Sequence, residues 1–224
     1  MSDQHPRLQA VIFDLDGTLV DTADEFVTVV QALRSEHDLP PMDVDTIRST
    51  VSNGARALVT LALGLEENDT HFETQRLRLL SLYSEILGST AQPYPGIMAL
   101  LEQLQQRGIG WGICTNKPRA YTDPLLERLN MQPAPGSVVC PDDVTHRKPN
   151  PESLYLNCKQ LNCLPGKSIY VGDHKRDNDA GRAAGMKTVA ACYGYIEAWD
   201  DPASWGADLS VDTSTGLSAL ILGE

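Results

Sequence analysis

The amino-acid sequence predicts an α/β fold: a doubly wound parallel sheet of Rossmann-like topology, with a small α-helical domain inserted after the first strand. Three observations predict it. A short apolar run, "AVIF" at residues 10–13, leads directly into Asp14-x-Asp16. Residues 21–91 then carry helical periodicity with no strand signal. From residue 92 onward, short apolar runs alternate with helical patterns, as in parallel strands joined by right-handed crossovers. The expected division is a core of residues 1–20 and 92–224 and a helical insertion of residues 21–91.

The elements follow in order. The segment "AVIFDLDGTLVDT", residues 10–22, ends a buried strand with two carboxylates one residue apart. Side chains alternate along a strand, so Asp14 and Asp16 are expected to project the same way from one edge. Two like charges so close repel, and the relief is either a shared proton or a cation between them. In "TADEFVTVVQALRSEHDL", Phe26, Val29, Val30 and Leu33 mark one helix face, with Thr22 or Asp24 as the cap. A Ser52-Asn53-Gly54 turn opens a second helix with Leu58, Leu61, Ala62 and Leu65 on one face, and a third carries Leu80, Tyr83 and Leu87. After the Pro/Gly punctuation of "QPYPG", helix 97–107 precedes "IGWGIC", helix 119–130 precedes "SVVC", helix 151–162 precedes "SIYVG", and helix 178–185 precedes "KTVAAC".

Composition narrows the function classes. Apolar content of 42% and charged content of 21% are those of an ordinary soluble globular protein. A formal net charge of -12 argues against nucleic-acid and anionic-membrane partners, which need a basic face. A small anion stays compatible, because fields screen out over roughly 8 Å in physiological salt. Cys114, Cys140, Cys158, Cys163 and Cys192 form no C-x-x-C pair and read as small apolar residues in a reducing compartment. The N-terminus lacks a signal-peptide pattern and no apolar run has the length of a membrane span, so a cytoplasmic monomer or homodimer is expected. His5, His37, His71 and His146 read as solvated surface residues.

In open parallel sheets, ligands bind beyond the carboxyl ends of the strands. The other strand ends carry matching chemistry. "GICTNKP" ends at Thr115, Asn116 and Lys117, a hydroxyl, an amide and a cation suited to phosphate oxygens. "HRKPNPE" sets Lys148 before Pro149, with Pro151 at the favoured first turn of a helix. "IYVGDHKRDNDAG" ends at Gly172-Asp173, with Asp177 four residues on. Each fragment alone reads first as a polar loop; four in order, each at the end of an expected strand, form a signature.

With these four segments the sequence resembles the haloacid dehalogenase-like phosphatase superfamily, and the insertion resembles that superfamily's small α-helical cap. The resemblance implies Mg²⁺ held by the Asp14 carboxylate, the Asp16 backbone carbonyl and the Asp173 carboxylate, a hard-oxygen set, with Asp177 in a supporting role. It implies Asp14 as a nucleophile that becomes an aspartyl-phosphate, and Asp16 as general acid and then base. Thr115 and Asn116 would cradle the phosphoryl group with Lys117 beside them, and Lys148 would offset the negative charge. Thr18 in "DLDGT" resembles the phosphatase form, whereas related phosphosugar mutases more often carry Val. The intact Asp14, Asp16, Lys148 and Asp173 argue against the remaining reading, a non-catalytic phosphate-binding protein.

The segment "VSNGARALV", residues 51–59, resembles the phosphoglycolate phosphatase-like branch. The resemblance implies Gly54 and Arg56 as substrate-binding residues, since an Arg fork suits a carboxylate; the other reading of Arg56 is a solvated helix residue. The expected substrate is a small phosphomonoester bearing a carboxylate, N-acetylmuramic acid 6-phosphate from peptidoglycan recycling, with 2-phosphoglycolate as the alternative. Arg56 does not choose between them; size would. His174 stands where the family more often has Ser, Thr or Asp, and reads as a tolerated rim substitution. Trp199, Trp205 and the "YGY" turn are expected to pack against the core.

Overall fold

The computed structural model describes residues 8–223, so His5 and the first seven residues of the expected core lie outside the described residues. Strands β1 (Ala10–Phe13) and β2 (Val20–Asp21) precede helices α1 (Ala23–Glu36), α2 (Val44–Thr50), α3 (Gly54–Leu63) and α4 (Phe72–Ile86). After β3 (Gln92–Pro93) the chain alternates through α5 (Ile97–Gln106), β4 (Gly110–Cys114), α6 (Arg119–Leu129), β5 (Ser137–Val139) and α7 (Glu152–Leu161). It continues through β6 (Ser168–Gly172), α8 (Lys175–Ala183), β7 (Lys187–Ala191), β8 (Leu209–Val211) and α9 (Leu217–Leu222).

Six strands form one parallel sheet in the order β5-β4-β1-β6-β7-β8. The fully buried β1 lies at its centre, with Ala10 opposite Gly110 on one side and Ser168 on the other. From β1 the chain winds outward through β4 and β5, then returns to β6 and winds the other way. The direction therefore reverses between β1 and β6, and a crevice opens beyond their carboxyl ends.

Phe26, Val29, Val30 and Leu33 of α1 are buried, as their spacing predicts. Two other helices are rolled from the expected face. In α3 the buried set is Leu58, Val59 and Ala62, while Leu61 and Leu65 are partly buried; α3 packs against α1, α2 and α4 together, so several neighbours set its orientation. In α4, Leu79 joins Tyr83 in the core and Leu80 lines an open cavity instead. Thr22 precedes α1 but makes no capping bond, because its hydroxyl donates to Asp16 Oδ1 at 2.7 Å. Helix α8 starts three residues before the expected 178, because His174 caps it: Nδ1 accepts from the Arg176 amide at 3.1 Å and Asp177 Oδ2 accepts from the His174 amide at 3.1 Å.

The sequence reading missed the antiparallel β2–β3 ribbon, in which Val20 faces Pro93 and Asp21 faces Gln92 on either side of the four helices α1–α4. Two residues per strand leave no periodicity to detect. It also missed α2, β8 and α9, all short. Among the described residues no helix is long and apolar enough to cross a membrane, and all five cysteines are free.

Candidate active site

Strand β1 ends at Phe13, one residue short of Asp14, which corrects the expectation that Asp14 and Asp16 share one strand edge. The Asp14 amide still donates to Val171 O at 2.9 Å, so Asp14 extends the ladder toward β6. The chain then turns at Gly17, with φ of +79°, and the Gly17 amide donates to Val20 O at 3.0 Å. A side chain could not replace this glycine, because its Cβ would lie 2.1 Å from Asp173 Oδ2.

Each carboxylate has its own lysine. Lys148 Nζ lies 2.9 Å from Asp14 Oδ1, and Lys117 Nζ lies 2.9 Å from Asp16 Oδ1. Lys148 is almost wholly buried, and its Nζ also reaches Asp177 Oδ1 at 2.7 Å, Cys114 O at 2.8 Å and the Tyr170 hydroxyl at 2.8 Å. Burial alone would strip its proton, but Asp14 and Asp177 outweigh burial and hold the ammonium well above the usual lysine range.

Asp173, at the end of β6, accepts from Thr18 Oγ1 at 3.1 Å, Ser52 Oγ at 3.0 Å and the Tyr195 amide at 2.9 Å. Oxygens of the buried Asp14, Asp173 and Asp177 all lie within 4.8 Å of one another. One lysine among three carboxylates leaves excess negative charge. Burial, partly offset by Lys148, pushes Asp14 up to about 6; burial followed by the charges of Asp14 and Asp177 pushes Asp173 up to about 7. Burial also opposes ionisation of Asp177, but Lys148 and Arg176 outweigh it and hold that carboxyl below its ordinary range. An all-oxygen, buried, over-negative cluster fits a hard divalent cation. Asp177 commits its oxygens to Lys148, the Tyr170 hydroxyl and the His174 amide, which suits a supporting place. Gly172 brings α8 this close: a Cβ there would lie 2.4 Å from Asp177 Cβ.

Asp14, Asp16, Gly54, Arg56, Thr115, Asn116, Lys117 and Lys148 line one cavity of about 630 Å³. Thr115 is buried and its hydroxyl accepts from the Lys117 amide at 3.0 Å, while Asn116 Nδ2 donates to Lys148 O at 3.1 Å, tying the two loops together. Arg56 is half exposed, pairs with Glu67 at 2.8 Å and lies over the Phe72 ring.

Several cavity residues escaped the sequence reading. Ser52 and Asn53 reach across to Asp173 and His174; Arg176 Nη2 donates to the Ser52 carbonyl, and its buried Nε has no hydrogen-bond partner among the described residues. Phe26 and Tyr83 were legible only as helix-face residues, since no local signal separates a cavity wall from a core. His174 is more than a rim substitution. Its Nδ1 accepts a backbone bond, so Nε2 carries the hydrogen that faces Asn53 Oδ1 at 3.3 Å. Burial and Arg176 push its pKa down to about 4, which keeps the ring neutral. Trp205 is buried, with its ring stacked 6.4 Å from that of His174, and the Tyr195 hydroxyl accepts from the Thr22 amide at 2.6 Å and donates to Asp21 Oδ1 at 2.7 Å. Trp199 departs from the expected packing: it is 79% exposed, on the loop between β7 and β8.

Fold and site together define a hydrolase class. The chain belongs to the haloacid dehalogenase-like hydrolase family, whose model matches residues 11–191. It is 46% identical over 206 residues to the N-acetylmuramic acid 6-phosphate phosphatase of Pseudomonas aeruginosa, covering 92% of this chain and 91% of that protein. It is 38% identical over 204 residues to the phosphoglycolate phosphatase of Xanthomonas campestris, covering 91% of this chain and 92% of that one. A crystal structure described as a predicted phosphoglycolate phosphatase from Haemophilus somnus has the same fold, with a TM-score of 0.82 over 97% of this chain and 98% of that one at 24% identity.

Proposed function

We propose that the protein is a Mg²⁺-dependent phosphomonoesterase that hydrolyses N-acetylmuramic acid 6-phosphate through an aspartyl-phosphate. The observation that carries the chemistry is the buried Asp14–Lys148 pair, which lines the cavity and has the Asp173 carboxylate close to that of Asp14. The Asp14 and Asp173 carboxylates and the Asp16 carbonyl would hold Mg²⁺, which would supply the positive charge that lets a carboxylate approach a phosphate dianion. Lys148 and the Leu15 amide engage Asp14 Oδ1, which leaves Oδ2 to attack phosphorus. The new Asp14–phosphorus bond forms as the ester oxygen departs with the proton of Asp16. Thr115, the Asn116 backbone and Lys148 stabilise the charge on the equatorial oxygens. Asp16 then takes a proton from the water that attacks phosphorus, which releases phosphate and restores Asp14.

Residues 21–91 act in this reading as a cap over the sheet domain, with Ser52 contributing to the seam and Gly54 and Arg56 facing the substrate. The 46% identity to a protein named for N-acetylmuramic acid 6-phosphate supports that substrate. So does size, because about 630 Å³ is ample for an amino-sugar phosphate and far more than a two-carbon acid fills. Arg56 suits the carboxylate that both candidate substrates carry.

The deciding experiment compares kcat/KM for N-acetylmuramic acid 6-phosphate and 2-phosphoglycolate at one fixed Mg²⁺ concentration. A preference of about a hundredfold for the sugar, roughly 2.7 kcal/mol in transition-state binding, is expected. The reverse preference would reassign the substrate, and low values for both would leave only the phosphatase chemistry.

A further inference from the structure

We propose that Lys117 positions Asp16 for proton transfer and is not a phosphate ligand; this rests on the reading of Asp16 as general acid. Lys117 Nζ is 2.9 Å from Asp16 Oδ1 and 2.7 Å from the Tyr83 hydroxyl, and its side chain is only 7% exposed. The ammonium also lies over the rings of Phe26 and Tyr83, 5.4 and 4.8 Å from their centroids, and those rings stack on each other at 4.3 Å.

Asp16 Oδ1 accepts from two donors, Lys117 Nζ and Thr22 Oγ1. An oxygen holding two such bonds is the poorer seat for the acid's proton, which goes to Oδ2. No described residue hydrogen-bonds Oδ2, and Asp16 lines the cavity. Lys117 and Thr22 thus select the oxygen that faces the departing ester. Lys117 and Asp16 follow sheet strands, whereas Phe26 and Tyr83 belong to α1 and α4. The enclosure of Lys117 is therefore complete only while those helices sit over the strand ends.

The choice of leaving group tests this. An alkoxide must be protonated as it departs, whereas p-nitrophenolate leaves unaided, so a defect in the acid falls on the alkyl ester. We would measure kcat/KM for N-acetylmuramic acid 6-phosphate and p-nitrophenyl phosphate with wild type, Asp16→Asn and Lys117→Met, checking folding by thermal melts. General acid catalysis contributes about 10²–10⁴-fold. Asp16→Asn is expected to lose at least about a hundredfold more on the sugar phosphate than on the aryl ester, and Lys117→Met about tenfold more. If Asp16→Asn shows that ratio while Lys117→Met loses equally on both with a raised KM, Lys117 is a phosphate ligand and the inference fails. If Asp16→Asn loses equally on both, the general-acid reading fails and takes the inference with it. Should Lys117→Met not fold, Tyr83→Phe keeps both charges and is expected to show the same bias at about threefold; equal losses there also overturn the proposal.

Discussion

Thr18 Oγ1 donates a hydrogen bond of 3.1 Å to Asp173 Oδ1 across 155 residues of sequence. Thr18 is fully buried, and among the described residues its hydroxyl makes this one hydrogen bond. Thr18→Val keeps the shape and removes the donor. Partners that orient a metal-binding carboxylate typically contribute 10–100-fold in metal affinity. The Mg²⁺ concentration giving half-maximal activity is expected to rise about tenfold, with kcat at saturating Mg²⁺ changing far less. An unaltered Mg²⁺ titration would show that Thr18 only fills space.

Asp14→Asn replaces the carboxylate proposed to attack phosphorus while keeping nearly the same volume beside Lys148. Turnover is expected to fall by roughly 10⁴-fold or more, as when a covalent nucleophile is removed elsewhere, with an unchanged circular dichroism spectrum. Acid-quenched protein from the variant should carry no phosphate, whereas wild type mixed with substrate should. Turnover within tenfold of wild type would exclude a covalent role for Asp14.

The carboxylate cluster predicts how pH affects the protein in a metal chelator. Asp14 and Asp173 have folded pKa values raised to about 6 and about 7, so between about pH 4 and 7 the folded state holds protons that the unfolded chain has released. Stability from these groups is therefore lost as pH rises through 6 and 7. His174, lowered to about 4, acts oppositely below about 6.5 and cancels part of the effect there. Melting temperature in chelator is expected to fall between about pH 6.5 and 8, as folding stability declines by up to about 1.4 kcal/mol per pH unit for each net proton. Mg²⁺ should raise it more at pH 8 than at pH 6. A melting temperature that climbs across this window without metal would contradict the excess negative charge at the site.

Arg56 is half exposed and one of its nitrogens pairs with Glu67, which leaves the rest of the fork for a ligand. Arg56→Ala is expected to raise KM about tenfold for the carboxylate-bearing sugar phosphate, the value of one charge-assisted contact of about 1.5 kcal/mol. KM for p-nitrophenyl phosphate should change less than about twofold. Equal changes for the two substrates would make Arg56 a structural residue of α3.

Much of this architecture was legible in the chain. Strands β1, β4, β5, β6 and β7 fall where the apolar runs lie, helices α5, α6 and α7 fall within a residue of their periodic segments, and α1 ends three residues short of its own. Where the reading failed, a partner distant in sequence made the decision. The α3 face rolled because three helices pack against it, and Thr22 gave up a capping bond for Asp16. The exposed Trp199 shows the same limit: an aromatic side chain carries no local mark of whether the fold will bury it.

The local chemistry of the chain established the parallel alternation and the strand ends that Asp14, Thr115 and Asp173 directly follow, because pleat, helical turn and motif spacing act over a few residues; Lys148, expected at a strand end, lies instead in the loop between β5 and α7. Only the tertiary structure assigned each lysine to its carboxylate. Asp14 and Asp16 are two residues apart, yet Lys148 reaches one and Lys117 the other at the same 2.9 Å. The sequence offered a shared proton or a single cation as relief for that pair. The fold turned the chain at Gly17 and brought a separate ammonium to each carboxylate from loops more than a hundred residues away, and electrostatic partnership depends on distance in space and not on separation along the chain.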